Sequence, residues 1–443
     1  MTGPLGGDTS KVTETARGVP LELALDGKEA WPSSAEAPPT QNWEMLGQDL
    51  FHSRSGESER MGRVVTILEY RLFELLSSKT GSKIITSQTE ISQELSSLVC
   101  NISSLYNKVQ FHSFEHACMV TISMNKLLDL SARARNRINY EGWYWTNEMI
   151  CFAMVFVALI HDVGHLGMTN KMLVEQGYDL AVRYNNKSVA EFNSIDIAID
   201  LLTNGEYPCL RAALFQSNEE MKAFFMIVRV AVSATDIASK ESMDGCKELR
   251  ACAFPADKTS KSEMKELTDY HAFKILTANN LDASGFDLAF KTSLCQNCSL
   301  IQHLIQAADI AHSMQSFETS LRWNYRLFKE LHACFTSNLL PADPGSFWAT
   351  GEVGFFDAYV QPLATGLSRI TSCPGSDEIL MLSNFAKTNQ DQWARHGKQI
   401  TEIMVKGVTS GQEEEATIDS ILHECHLAAE KSVSFVGVYN RAA

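Results

Sequence analysis

Residues 149–170 read MICFAMVFVALIHDVGHLGMTN. The first twelve, Met149 to Ile160, are apolar without interruption. A bilayer span needs about 20 such residues, so this run reads as a helix buried on all sides. His161, Asp162 and His165 follow at once. Ionisable groups at the end of a buried helix need partners, and a cation supplies them. His161 and Asp162, close to the flexible Gly164, can end the helix with both side chains turned to one ion. The plainer alternative is a capping Asp beside a buried His.

Outward from this run the pattern stays helical. VVTILEYRLFELL places Val65, Leu68, Leu72, Leu75 and Leu76 at helical spacing. The same period recurs in HACMVTISMNKLLDL, MKAFFMIVRVAVS, SLIQHLIQAADIAHSMQ and SLRWNYRLFKELHACF. No stretch alternates in the strand manner. Asn204-Gly205, Phe254-Pro255 and Pro341 to Ser346 break helices without changing the texture of the chain. With only 25 Gly and 11 Pro in 443 residues, long helices are favoured over a turn-rich β architecture.

The fold class expected is all-α: a compact multi-helix bundle over residues 59–410. Residues 1–58, with Gly, Pro, Ser and Thr and no period, read as a disordered leader holding short helical pieces near Trp43 to Phe51. Residues 411–443 carry the acidic run Glu413 to Glu415, read as a solvated helix start, then an amphipathic helix. The net charge of −15 argues against nucleic acid or an anionic membrane as partner. Eleven scattered cysteines without a framework suit a reducing cytoplasm, and Cys295 with Cys298 reads as thiols packed beside a helix.

Three further patches set His, Asp or Glu among apolar residues. FHSFEHA puts His112 and His116 one turn apart on a helical face, an ordinary pattern on its own. LIQAADIAHS places Asp309 in an apolar run, a poor site for a lone carboxylate. LFKELHA carries Glu330, by itself a common surface acid. Together the imidazoles and carboxylates form a mixed nitrogen and oxygen set suited to a borderline divalent ion. They come from separate segments, as when facing helices build a buried metal centre.

The spacing H-x-x-x-H, then H-D-x-x-H-x-G-x-x-N, then A-A-D-I resembles the class I cyclic nucleotide phosphodiesterases, within the HD-type metal hydrolases. SVAEFNS (188–194), Thr235-Asp236-Ile237 and GEVGFFDAYVQPL (351–363) extend the likeness across residues 60–405. The resemblance implies a bundle of about sixteen helices. It implies His116, His161, Asp162 and Asp309 as ligands of a first ion, zinc, with Asp162 bridging to magnesium or manganese. Those ions would polarise a cyclic phosphodiester and acidify water between them. His112 would be the general acid, oriented by Glu330. His165, Asn170 and Glu191 would hold water or phosphate, and Phe355 with Ile237 would enclose the base. The implied activity is hydrolysis of a 3′,5′-cyclic nucleotide to its 5′-monophosphate in the cytoplasm, and a homodimer is left open.

The departures lie behind the ligands and at the base. Ser113 stands where the family has Asn, Met119 where it has Asp, and Phe192, Asn193 and Ser194 where it has N-H-H. Such changes can slow turnover with every ligand present. The purine-binding Gln is replaced by Glu352. A carboxylate accepts from both N1–H and N2–H of guanine but faces the N1 lone pair of adenine, so a preference for cyclic GMP over cyclic AMP is expected. The rival readings are an HD-type hydrolase of another phosphoester and a catalytically weak nucleotide-binding module.

Overall fold

The computed structural model describes residues 57–79, 87–131, 145–255, 261–370 and 377–439. Apart from Glu57 and Ser58, the expected leader and its helical piece near Trp43 to Phe51 lie outside them. In chain order the α-helices begin with α1 (Glu57–Ser78), α2 (Gln88–Leu105), α3 (Phe114–Leu130) and α4 (Asn147–Ile160). Next are α5 (Asn170–Glu175), α6 (Asp179–Arg183), α7 (Val189–Thr203), α8 (Pro208–Leu214) and α9 (Asn218–Val232). Then come α10 (Lys240–Ala253), α11 (Lys261–Ala278), α12 (Leu288–Asp309) and α13 (Phe317–Thr336). The last are α14 (Trp348–Phe355), α15 (Gln361–Ile370), α16 (Asp377–Ser410) and α17 (Glu414–Tyr439). A π-helical turn, Phe356–Val360, joins α14 to α15 without a break, so the described residues form sixteen separate α-helical runs. Among the described residues there is no strand, and no helix is long and apolar enough to cross a membrane.

The run 149–160 is the body of α4, and every one of those residues is buried. Thr146 starts the helix: its hydroxyl accepts the Met149 N–H at 3.1 Å. At the other end the Tyr106 hydroxyl donates to the Leu159 carbonyl at 2.7 Å, satisfying an oxygen the helix itself leaves open. Helices α1, α3, α9 and α12 pack around α4. Each large apolar side chain so enclosed stabilises by about 1.5–3 kcal/mol, which fixes α4 as the axle of the bundle.

This arrangement brings three helix ends together. The C-terminus of α4, capped by His161, meets the C-terminus of α12, whose last residue is Asp309. The N-terminus of α3, capped by the Ser113 hydroxyl, lies beside them and carries His116. Two C-termini bring partial negative charge and so favour a cation there.

The loop from α4 to α5 makes its turn with glycines. Gly164 has φ +78°, and a Cβ on it would lie 2.8 Å from both Asn193 Nδ2 and Ile197 Cδ1. Gly167 has φ +69°. A small second core of Met168, Met172, Leu173, Ala181, Val189 and Cys334 anchors the loop from below. The Cys334 thiol donates to the Gly167 carbonyl at 3.2 Å.

Cys295 and Cys298 are buried free thiols on α12. At the start of α17, Glu413 and Glu415 are exposed as expected of a solvated start, and Glu414 departs from it. Glu414 turns inward to pair with Arg326 and Lys329 of α13, and Glu415 pairs with Arg322. The physical reason is that α17 folds back on α13 and α16, so its first turn meets three cations.

Candidate active site

Where the three helix ends meet, four side chains converge. Asp309 Oδ1 lies 2.9 Å from His116 Nε2 and 3.4 Å from His161 Nε2. Asp162 Oδ2 lies 3.1 Å from His161 Nε2 and 3.8 Å from His116 Nε2. Ligands bound about 2.0–2.2 Å from one ion stand about 3–3.5 Å apart; three of these four separations fall near that range, and His116 to Asp162 is longer.

The hydrogen bonds give a second, independent sign. His161 Nδ1 lies 3.0 Å from the Ala158 carbonyl, which can only accept, so that nitrogen carries the proton. In the neutral ring Nε2 is then a lone pair, buried without a hydrogen bond and facing two carboxylates. Lone pair against carboxylate is repulsive, so either a second proton or a metal ion must stand between them. Burial opposes that proton, yet Asp162 and Asp309 raise the His161 pKa well above its ordinary value. Burial likewise opposes ionisation of Asp309, but His116 and His161 hold it well below the usual carboxylate range. The set therefore fits a divalent cation. His116 Nδ1 is buried without a hydrogen-bond partner among the described residues, and Met119, in the place of the expected Asp, supplies none.

His112 and Glu330 form a separate pair. Glu330 Oε1 lies 2.5 Å from His112 Nδ1, while Oε2 accepts the N–H of Phe111 at 2.8 Å and of His112 at 3.3 Å. Burial lowers the His112 pKa, but Asp162 and Glu330 outweigh it and bring it to about 9. The ring is thus an imidazolium at neutral pH. The His165 ring lies against it, tilted by 32° with centroids 3.8 Å apart, and accepts the Gly167 N–H at Nδ1. Burial and the His112 charge push His165 down to about 3, which leaves a neutral ring with a donor at Nε2. His112, His165 and Glu330 also have ligand atoms near one another. The Nδ1 atoms of both rings are already engaged, by Glu330 and by the Gly167 N–H, and His112 is protonated, so this group suits proton transfer better than metal binding.

Asn170 links α5 to α7, donating to Glu191 Oε2 at 2.9 Å and accepting the Ala190 N–H. Burial, then the charge of Asp236, raises Glu191 to about 7. Asp236 itself accepts from the Ser188 hydroxyl at 2.7 Å and the Ser239 N–H at 3.1 Å. Ile237, next to it, is exposed. Phe355 is half-buried against Tyr359, whose pKa is raised by burial and by the field of Asp309. Glu352 is buried and hydrogen-bonds Asn324, which also accepts the Trp348 indole N–H at 2.9 Å. Burial raises Glu352 to about 7.

Three neighbours of the site escaped the sequence reading. Asp236 was visible only as the middle of Thr235-Asp236-Ile237. His312, three residues after Asp309, is buried with Nε2 unpartnered and pushed down to about 3 by burial and His116. Asn324 follows Trp323 and had no signal of its own.

Residues 111–381 match the 3′5′-cyclic nucleotide phosphodiesterase family, and the chain belongs to it. The family is metal-dependent, in keeping with the His and Asp cluster. Among relatives is the human dual specificity calcium/calmodulin-dependent 3′,5′-cyclic nucleotide phosphodiesterase 1C. It is 26% identical over 323 residues, 71% of this chain and 39% of that protein. The probable 3′,5′-cyclic-AMP phosphodiesterase pde-4 of Caenorhabditis elegans is 25% identical over 230 residues, 52% of this chain and 28% of that protein. The chain spans less than half the length of these curated relatives. The phosphodiesterase domain of the RhoPDE fusion protein from the choanoflagellate Salpingoeca rosetta has the same fold, with a TM-score of 0.57 at 20% identity. That match covers 82% of this chain and 98% of the other.

Proposed function

We propose that this chain hydrolyses 3′,5′-cyclic nucleotides to 5′-monophosphates in the cytoplasm, with cyclic GMP preferred above neutral pH. The carrying observation is the juxtaposition of His116, His161, Asp162 and Asp309 with an imidazolium held by a carboxylate. Zinc at those four residues and magnesium or manganese beyond Asp162 would supply Lewis acidity and an acidified water.

The protein's own groups do the rest. His112 donates its Nε2 proton to the departing 3′-oxygen, and Glu330 keeps that proton in place until then. His165 offers a neutral donor, and Asn170 with Glu191 orders polar groups beside Asp162. Phe355 and Ile237 hold the base between apolar surfaces. Glu352 reads its edge. As a carboxylate it accepts twice, which suits guanine; as a neutral acid it donates and accepts, as an amide does, and takes adenine too.

The test is steady-state hydrolysis of both cyclic nucleotides by the full chain with magnesium or manganese, beside Asp309→Ala. Turnover that vanishes in the variant supports the reading. Equal rates in both proteins would end it.

A further inference from the structure

Arg326 of α13 joins three elements. Its Nε donates to Glu414 Oε1 of α17 at 2.9 Å, and its Nη1 lies 3.1 Å from Glu115 Oε2 of α3. Its guanidinium sits 4.9 Å from the centre of the Trp323 ring, which lies 5.3 Å from the His116 ring. Lys329, one residue before Glu330, reaches the other oxygen of Glu414 at 2.5 Å. Burial opposes ionisation of Glu414, but Arg326 and Lys329 hold its pKa below the ordinary value, so it stays charged. One carboxylate near the C-terminus thereby bears on both halves of the site. Through Glu115 and Trp323 it bears on His116, and through Lys329 on the helix that carries Glu330.

We propose that Glu414 is a positioning residue: its two ion pairs set the seat of α13 against α3, and with it the placing of His116 and Glu330. The proposal rests on the reading of His116 as a metal ligand. Without Glu414, Arg326 and Lys329 lose the anion that draws them to one side of α13. Arg326 then keeps Glu115 but loses its bond to Glu414, and the Trp323 ring beneath it loses its fixed cover. A cavity of 460 Å³ lined by Arg60, Ser113, Glu115, Arg326 and Glu414 opens beside the pairs. Solvent ions reach the clasp there, so salt weakens it.

The experiment titrates the metal-free full chain with Co²⁺, followed by its visible absorption, and measures hydrolysis in parallel. Glu414→Gln is compared with Ile421→Ala, which removes a fully buried side chain from the same helix. Glu414→Gln is expected to weaken Co²⁺ binding about tenfold, the usual effect of a group that orients ligands. Ile421→Ala is expected to lower Tm and leave Co²⁺ affinity unchanged. Raising NaCl to about 0.5 M should weaken Co²⁺ binding to the wild type more than to Glu414→Gln. Wild-type Co²⁺ affinity in Glu414→Gln, or an equal loss in Ile421→Ala, overturns the proposal. Absence of hydrolysis by the wild type would count against the catalytic reading alone, because Co²⁺ affinity still judges the clasp.

Discussion

Glu330 has every oxygen engaged: one on the His112 ring, the other on two backbone N–H groups. It therefore fixes the direction of that imidazole and, with Asp162, favours its charge. Because the folded pKa of His112 is raised, the acid form is present below about 9 and lost as pH rises through that value. Hydrolysis should hold at neutral pH and fall on an alkaline limb. Glu330→Gln should cut kcat about a hundredfold and draw that limb toward an ordinary imidazole value. A pH–rate profile with an unmoved limb would show that Glu330 does not orient the acid. Glu352 shares that sign, since the folded state favours its proton too. Its carboxyl pKa is raised to about 7, so the folded state bears the cost of ionising it, a cost that grows as pH rises from 4.5 to 7. Glu352→Gln should thus raise stability by about 1–3 kcal/mol at pH 8 and by less at pH 6. In the wild type the cyclic GMP to cyclic AMP ratio of kcat/KM should climb across the same interval, and in Glu352→Gln it should be flat. A ratio independent of pH in both proteins would remove Glu352 from the base site.

The elements differ in how openly the chain announces them. Helix α4 is legible because twelve apolar residues in succession leave no other burial pattern, and the chemistry at its end stands out against that background. Phe156→Ala should cost about 3–5 kcal/mol in urea unfolding, since Phe156 is buried and its ring lies 5.8 Å from Phe224. A loss under about 1 kcal/mol would mean that α4 is not the packing axis. The π-turn at Phe356–Val360 was hidden, because an inserted residue in a helix is decided by what the helix leans on. The inward turn of Glu414 was hidden for a like reason. Three consecutive acids look the same in sequence whether they face water or the cations of a distant helix. Asn324 as the partner of Glu352 joins residues of two helices with no spacing rule between them.

Across the whole molecule, the candidate ligands arrive from α3, the end of α4 and the end of α12. A cation held by all three would clip together parts of the chain that lie far apart, so binding free energy adds to folding free energy. Removing metal with a chelator should lower Tm, and zinc should restore it. Unchanged Tm on chelation would show that no ion is held there. A ligating imidazole must be neutral, and Asp162 and Asp309 favour a proton on His161, so affinity should already fall with pH well above the ordinary imidazole value. The all-α class was legible from spacing, and the number of helices from family likeness. Which acids touch which imidazoles was not, because it depends on where separate helices end. The position of Asp309 as the last residue of α12 also bears on how the protein is made. Synthesis runs from the N-terminus, so His116, His161 and Asp162 exist through the making of everything from α5 to α12 without their fourth companion. At 5–20 residues per second this interval is on the order of ten seconds. During it the growing chain holds two imidazoles and a carboxylate that have no finished pocket to occupy. Loading of an ion at these four residues would thereby be tied to the completion of one helix, and a chain stalled short of it would lack the ion that would draw its parts together.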